Sequence, residues 1–368
     1  MRLRYKILSV ILIVVAAGVM WLAFRLSHDS PCGAALSLPP DAKLMKAIVH
    51  RCYGSPDVLR FEDIEKPTPA DDQVLVKVHA ASVNPLDWHY MRGTPYIVRP
   101  DAGLGKPTDP RLGVDFAGTV EAVGRNVKRF KPGDEVFGGR DGAFAEYVTV
   151  REERAVVLKP ANVTFEQAAS VPIAGITALQ ALRDKGQVHP GQKVLINGAS
   201  GGVGTFAVQI AKSFGAEVTG VCSTRNVAMV QSIGADHVID YSQEDFTKGA
   251  QRYDLIVDTV GNHPLLKYRR VLNPKGIFVL VGAPNEGRWL GGVSVMLKAM
   301  MLSPFVSQQF LPFLAELNQK DLTILGELVQ AGKLTPVIDR RYKLSEVPAA
   351  IRYLEQGHAR GKVIISVE

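Results

Sequence analysis

Apolar and polar positions along the chain predict two kinds of structure. Between residue 45 and about residue 165, short apolar runs separated by turn signals such as Lys131-Pro-Gly-Asp134 predict strands. Beyond residue 165, strands alternate with helices, which favours a parallel sheet and an α/β fold. The predicted elements are strands at 45–50, 73–81, 116–123, 146–150, 193–197, 217–222, 255–259 and 277–281 and a helix at 205–214.

A separate apolar segment precedes this body. Residues 7–24 carry no charge, follow three basic side chains and would rise about 27 Å as a helix, close to the ~30 Å core of a bilayer. We expect residues 1–26 to form an N-terminal transmembrane helix and residues 27–44 a Pro-containing linker. A cleaved signal peptide is the alternative.

Composition narrows the class of protein. The 368 residues are 46% hydrophobic and 21% charged, which is typical of a folded chain of about two domains. Residues 1–44 hold five Lys or Arg and two Asp, so only +4 of the net charge of +7 belongs to the body, and we expect no nucleic-acid partner. Three widely spaced Cys argue against a disulfide framework and against a Cys-cluster metal site.

A glycine-rich loop carries the strongest chemical signal. Gly198-Ala-Ser-Gly-Gly-Val-Gly204 lies between a predicted strand and a predicted helix. Gly201 and Gly202 would let the backbone approach a pyrophosphate, and Gly204 would let helix and strand pack closely. The free N–H groups at the start of the helix would attract the phosphates. The loop therefore predicts a dinucleotide site.

The end of the next predicted strand bears on the choice of cofactor. NAD enzymes usually place Asp or Glu there for the ribose 2′-hydroxyl, but this chain has Cys222-Ser-Thr-Arg225. Ser223 could hydrogen-bond a 2′-phosphate and Arg225 could neutralise it. The sequence therefore favours NADPH over NADH.

Four ordered motifs run along the body of the chain: Tyr53-Gly-Ser-Pro-Asp-Val-Leu59, Ser82-Val-Asn-Pro-Leu-Asp87, Gly113-Val-Asp-Phe-Ala-Gly118 and Val194–Gly204. The C-terminal tail contains Gly357-His-Ala-Arg-Gly-Lys362. Taken together, these segments resemble the medium-chain dehydrogenase/reductase superfamily, specifically its zinc-independent quinone oxidoreductase branch, and the tail resembles that of the reticulon-4-interacting-protein-like reductases.

The resemblance implies a domain plan. It places a GroES-like catalytic β domain at 45–165, completed by a C-terminal segment at 306–368. A Rossmann domain with a doubly wound parallel sheet would be inserted at 166–305, with the active cleft between the two domains. A homodimer through the Rossmann sheet is a further expectation.

Departures from the zinc-dependent branch constrain the chemistry. Zinc-dependent members have Cys where Asn84 stands and Gly-His-Glu where Gly113-Val114-Asp115 stands. The resemblance therefore implies no catalytic metal site. Without a Lewis acid, hydride transfer is easiest to an acceptor that is already electron-poor, such as a quinone or a conjugated enone.

The resemblance also suggests site residues. Tyr53 could protonate the reduced oxygen, with a packed structural ring as the alternative, and Asn84 could orient the substrate or the nicotinamide ribose. The other implied cofactor contacts are Ser200, Gly202 and Val203 for the pyrophosphate, Tyr241 for the adenosine, Thr177, Val281, Gly282 and Ala283 for the nicotinamide, and Arg360 and Lys362 for the cofactor or its phosphates. Surface roles are the alternative for the last two, and a structural aromatic role for Tyr241.

The leading hypothesis is a membrane-tethered, NADPH-dependent quinone or enone oxidoreductase. An NADP-dependent enoyl or aldehyde reductase and a non-catalytic NADPH-binding scaffold protein are the alternatives. The side of the membrane is open, because the basic amino terminus favours an exported body whereas a nicotinamide cofactor favours a cytosolic one.

Overall fold

A computed structural model describes residues 2–34, 37–282 and 287–367, with backbone only for 2–4 and 6–10. The strands are β1 (Leu44–Val49), β2 (Arg60–Glu65), β3 (Gln73–Val83), β4 (Asp115–Val123), β5 (Glu135–Gly139), β6 (Tyr147–Arg151), β7 (Val156–Leu158), β8 (Lys193–Asn197), β9 (Glu217–Cys222), β10 (His237–Asp240), β11 (Tyr253–Asp258), β12 (Leu272–Leu280), β13 (Gln309–Pro312), β14 (Ile338–Lys343) and β15 (Lys362–Ser366). The helices are α1 (Arg2–Ser27), α2 (Pro85–Arg92), α3 (Arg99–Ala102), α4 (Phe165–Ala169), α5 (Pro172–Gln180), α6 (Gly202–Ser213), α7 (Val227–Ser232), α8 (Leu265–Val271), α9 (Val293–Leu302), α10 (Gln319–Gln330) and α11 (Val347–Glu355).

Six parallel strands form the Rossmann domain. Their order is β10-β9-β8-β11-β12-β13, which is the doubly wound arrangement with its crossover point between β8 and β11. The central strands are buried almost continuously because helices cover both faces. β13 pairs with β12, so this sheet extends past the expected domain boundary at residue 305.

The β domain is built on a second sheet. Its order is β14-β15-β3-β4-β5-β7, with β6 also pairing with β3, and β1 and β2 form a separate hairpin. The C-terminal strand β15 lies antiparallel to β3, so the end of the chain forms part of this sheet. The same pairing places Lys362, the first residue of β15, beside the end of β3.

The amino-terminal segment folds as α1. Across the residues that the structure describes, no helix has both the length and the apolar character needed to cross a membrane, so the expected transmembrane helix is not supported. The end of α1 nevertheless contacts the body, because Nη1 of the fully buried Arg99 donates to the Leu26 carbonyl at 2.8 Å.

A disulfide between Cys32 and Cys52 fastens the linker to the β domain. The spacing of the cysteines gave no reason to expect it. The two residues meet because neighbouring contacts hold the linker in place: Asp29 pairs with Arg99 at 2.7 Å, and the Ser30 N–H donates to the Gly105 carbonyl at 2.8 Å.

Candidate active site

A cleft of about 590 Å³ is bordered by both domains. The loops after β8, β9 and β11 form its Rossmann side, as expected for the carboxyl edge of a parallel sheet at its crossover point. From the β domain come residues at the end of β3 and the start of β15. The predicted residues among its lining are Asn84, Ser200, Gly201, Gly202, Val203, Ser223, Arg225, Tyr241 and Lys362.

The glycine loop has the shape that the sequence predicts. α6 begins at Gly202, directly beside the cleft. A Cβ on Gly204 would lie 2.1 Å from the Gly198 carbonyl oxygen, so only glycine allows this approach of helix to strand. Gly201, in contrast, has room for a Cβ, which would lie 3.4 Å from the Gly198 carbonyl oxygen. The loop thus provides a cradle that fits a pyrophosphate.

Ser223 and Arg225 lie at the end of the cleft beyond β9. The buried Asn226 donates to the hydroxyls of both Ser200 and Ser223 at 3.1 Å and so joins the glycine loop to this end. Arg225 donates to the His358 carbonyl at 2.8 Å, and Tyr241 is largely exposed at the same rim. An arginine and a serine placed together at this position fit a 2′-phosphate.

On the opposite side of the cleft, a buried polar network surrounds Asp115. One carboxylate oxygen accepts from the Ser82 hydroxyl at 2.8 Å, the Asn84 amide at 2.9 Å and the Lys362 ammonium at 3.2 Å. The other accepts from the Ile173 N–H at 3.0 Å. Both oxygens of this carboxylate therefore accept hydrogen bonds, and its charge is balanced by Lys362.

A metal ion does not fit in this network. Asn84 and Asp115 stand where the resemblance places the metal-binding segments of zinc-dependent members. Lys362 Nζ lies 2.5 Å from Asn84 Oδ1 and 3.2 Å from Asp115, so a cation bound there would meet an ammonium group. Within the described ranges, no three His, Cys, Asp or Glu side chains are grouped to hold a metal.

Tyr53 lies away from the cleft. Its hydroxyl donates to the Gly103 carbonyl at 2.7 Å, and its ring packs against the Arg99 guanidinium. Burial raises the pKa of Tyr53 to about 12. This placement favours the structural alternative for Tyr53 over the catalytic one.

Several other predicted contacts have structural partners instead of cleft positions. The Thr177 hydroxyl donates to the Ile173 carbonyl within α5. Gly282 packs so closely on Thr259 that a Cβ would lie 2.1 Å from its carbonyl oxygen, and Val281 donates its N–H to Asp258. Arg360 is bound through its backbone N–H to Asp339. Ala283 lies outside the described residues.

The structure adds residues that sequence reasoning missed. Asn197 and the backbone N–H groups of Val260 and Gly261 donate to the buried Asp258 carboxylate, which holds the loop after β11 against the cleft. Cys222 also lines the cleft, and burial raises the pKa of its thiol to about 11, so it is a neutral thiol. The polar residue Asp258, at the end of the apolar strand β11, is the local sequence signal that could have indicated this loop.

A smaller cavity of about 260 Å³ adjoins the network through Asp87. Asp87 Oδ2 accepts the Asn84 N–H at 2.7 Å and so caps the start of α2, but its buried Oδ1 has no hydrogen-bond partner among the described residues. Burial raises the pKa of Asp87 to about 8. His50 lines the same cavity, its Nδ1 has no partner in the described part of the chain, and burial lowers its pKa to about 4. Both groups are therefore mainly uncharged at neutral pH.

Comparisons with known proteins agree with this architecture. The family models "Alcohol dehydrogenase GroES-like domain" and "Zinc-binding dehydrogenase" match residues 70–161 and 233–365. The mouse mitochondrial NAD(P)H oxidoreductase RTN4IP1 is 37% identical, with 88% of this chain and 89% of the mouse protein covered. For 2-methylene-furan-3-one reductase of Solanum lycopersicum the identity is 36%, with 94% and 85% covered.

A solved structure supports the same assignment. The quinone oxidoreductase from Coxiella burnetii superposes with a TM-score of 0.77 and is 34% identical, covering 89% of this chain and all of that one. Both domains and the cleft between them are included in these matches. The protein belongs to the medium-chain dehydrogenase/reductase superfamily, in its zinc-independent quinone oxidoreductase branch.

Proposed function

We propose that this protein transfers a hydride from NADPH to a quinone or a conjugated enone. The observation that carries the proposal is that the glycine loop and Lys362, which pairs with the buried Asp115, line one cleft. The names of the relatives, which include quinone oxidoreductases and an NADPH-dependent alkenal/one oxidoreductase, support the same reaction class.

The chain's own residues would bind the cofactor and orient it. The N–H groups at the start of α6 would hold the pyrophosphate, with Ser200 and Val203 beside it. Ser223 and Arg225 would hold the 2′-phosphate, and the β-domain network would face the reacting end. The bound nicotinamide supplies the hydride.

The proposal is tested by NADPH oxidation with the purified full-length protein. Acceptors should include a benzoquinone, a conjugated enone, an enoyl thioester and a simple aldehyde, each with NADH as the control. We expect turnover with the quinone or the enone and little with the aldehyde, because no metal polarises its carbonyl. Turnover confined to the thioester or the aldehyde would establish the alternative reductase. NADPH binding without any turnover would establish the scaffold.

Cofactor preference is tested by Arg225→Ala. Removing a charged hydrogen-bond donor to a phosphate costs about 1.5–3 kcal/mol, so NADPH affinity should fall roughly 10- to 100-fold while NADH affinity changes little. Fluorescence titration measures both. Arg340→Ala, at an exposed site of β14, is the matched control. An equal loss for the two cofactors would remove Arg225 from 2′-phosphate recognition.

We also propose that α1 attaches the protein to a membrane, with the body on the oxidising side. Many large apolar side chains between Ile11 and Phe24 are exposed, and the Cys32–Cys52 disulfide is of a kind found mainly in oxidising compartments. Flotation with phospholipid vesicles, with a version lacking residues 1–27 as control, tests the attachment. Failure of the full chain to float with the vesicles would contradict it, and labelling of Cys32 by a thiol reagent without reductant would contradict the compartment.

A further inference from the structure

Lys362 has an unusual position for a lysine. Its side chain is only 3% exposed, yet the residue lines the cleft. The aliphatic stem crosses the glycine loop, where a Cβ on Gly202 would lie 3.2 Å from Lys362 Cδ. The preceding Gly361 N–H donates to the Ser200 carbonyl at 2.8 Å. Lys362 therefore reaches from the phosphate loop to the β-domain network.

The ammonium group has one donor to spare. Of its three N–H bonds, one goes to Asn84 Oδ1 and one to Asp115 Oδ2. Among the residues that the structure describes, Nζ makes no third hydrogen bond. Both N–H donors of Asn84, in contrast, are used, because its amide nitrogen donates to Asp115 and to the Ser82 carbonyl, and its amide oxygen accepts from Lys362.

The substrate-orienting role expected of Asn84 is therefore better suited to Lys362, which is hydrogen-bonded to it. Asn84 has no free N–H donor for an acceptor oxygen, whereas Lys362 combines a positive charge with a spare donor. The charge also lies against Asn84 and Asp115, the two positions that bear on metal binding in zinc-dependent members. A donor fixed in a low-dielectric site stabilises developing negative charge far more than the same donor in water.

We propose that the Lys362 ammonium is a catalytic residue that donates a hydrogen bond to the acceptor oxygen and stabilises the charge formed there. Because Asp115 balances its charge, Lys362 stabilises this oxygen less than a divalent metal cation does in the zinc-dependent branch, which is consistent with an acceptor that is already electron-poor. Asn84 and Asp115 are positioning residues that hold Nζ in place. This inference rests on the proposed function.

For an enone, the hydride brings two electrons to the β carbon, and the π pair of the C=C bond moves to form a new double bond between the α carbon and the carbonyl carbon. The π pair of the C=O bond moves to the oxygen, which gives an enolate that is hydrogen-bonded to Lys362. Water then supplies one proton at the α carbon, so the enone and NADPH with one proton give the saturated ketone and NADP⁺. A quinone gains the same hydride and proton and becomes the hydroquinone.

The test compares the full-length wild type with Lys362→Met and uses a nitrophenol, whose coloured anion imitates the oxyanion. With NADP⁺ bound, the wild type should lower the pH at which the nitrophenol ionises. Lys362→Met should bind the anion at least 10-fold more weakly, keep its NADP⁺ affinity within about 3-fold and lose roughly 100-fold in turnover. Lys333→Met, at an exposed turn, is the matched control.

Removal of Lys362 alone leaves the Asp115 carboxylate buried without its partner, which can unfold the protein. Lys362→Met/Asp115→Asn removes both charges and keeps the comparison interpretable. Wild-type-like turnover and anion binding in this double variant would overturn the proposal, as would failure of the wild type to bind the anion. A parallel loss of NADP⁺ affinity with anion binding intact would instead make Lys362 a cofactor ligand.

A different outcome would contradict the proposed function but not the role of Lys362. If the wild type binds NADP⁺ and the nitrophenolate through Lys362 but reduces neither quinone nor enone, oxyanion recognition by Lys362 stands and the assigned reaction does not.

Discussion

At the scale of single residues, Asp87 is a carboxyl group placed where it holds a proton. Folding removes it from water, and this burial raises its pKa from 3.8 to about 8. Its Oδ2 caps α2, and its Oδ1 has no hydrogen-bond partner within the part of the chain that the structure describes, so the neutral acid fits the site better than the anion does.

This geometry predicts how Asp87→Asn changes the pH dependence of stability. Between pH 4 and 8 the folded protein binds a proton at Asp87 that the unfolded chain has lost, so this group stabilises the fold at low pH and less and less as the pH rises. Asn imitates the neutral acid and can still accept the Asn84 N–H. The variant should therefore gain stability relative to the wild type from pH 4 to 8, with no further gain above.

Thermal unfolding midpoints across this pH range measure the effect. Asp41→Asn, at an exposed turn, serves as control and should follow the wild type at each pH. A constant difference between Asp87→Asn and the wild type would show that Asp87 does not titrate in this window.

Tyr53 is the residue for which sequence and geometry disagree most. Its hydroxyl is bonded to the Gly103 carbonyl, so Tyr53→Phe should lower the free energy of unfolding by about 1 kcal/mol and leave turnover within roughly 2-fold. Urea unfolding and steady-state kinetics of the same preparation test both parts. A 10-fold loss of turnover with normal stability would restore the catalytic role.

At the scale of elements, the loop between β8 and α6 contains glycines with different tasks. Gly204→Ala would place a methyl group 2.1 Å from the Gly198 carbonyl oxygen, so we expect a loss of about 1–3 kcal/mol in stability. Gly201→Ala has space for its methyl group and should fold normally, but should bind NADPH at least 10-fold more weakly because the methyl group enters the phosphate cradle. Urea unfolding and NADPH titration separate the two. Identical behaviour of both variants would contradict this division.

How far the sequence predicts these elements depends on how local their causes are. β8 and β9 have the bounds expected from their apolar runs. α6 begins at Gly202 instead of residue 205, because glycines at a helix start carry no periodic signal. The Lys362–Asn84 contact joins residues 278 positions apart, so no local pattern could show that Lys362 is buried.

At the scale of the whole molecule, the amino-terminal linker is bound to the β domain at several points. Arg99 is buried between the Tyr53 and Tyr96 rings. Its guanidinium donates to the Leu26 carbonyl at the end of α1 and forms an ion pair with Asp29. The Tyr96 N–H in turn donates to the Arg288 carbonyl, at 2.7 Å, in the loop before α9. The Cys32–Cys52 bond closes this arrangement covalently.

The disulfide should therefore contribute to global stability. A cross-link between residues 20 positions apart restricts the unfolded chain by about 3 kcal/mol in the loop-entropy description. Cys32→Ser should lower the free energy of unfolding by that amount, and a dithiol reductant should do the same to the wild type but not to the variant. Urea unfolding with and without reductant provides the comparison. Equal stability of the oxidised and reduced wild type would mean that Asp29, Ser30 and Arg99 hold the linker without the covalent bond.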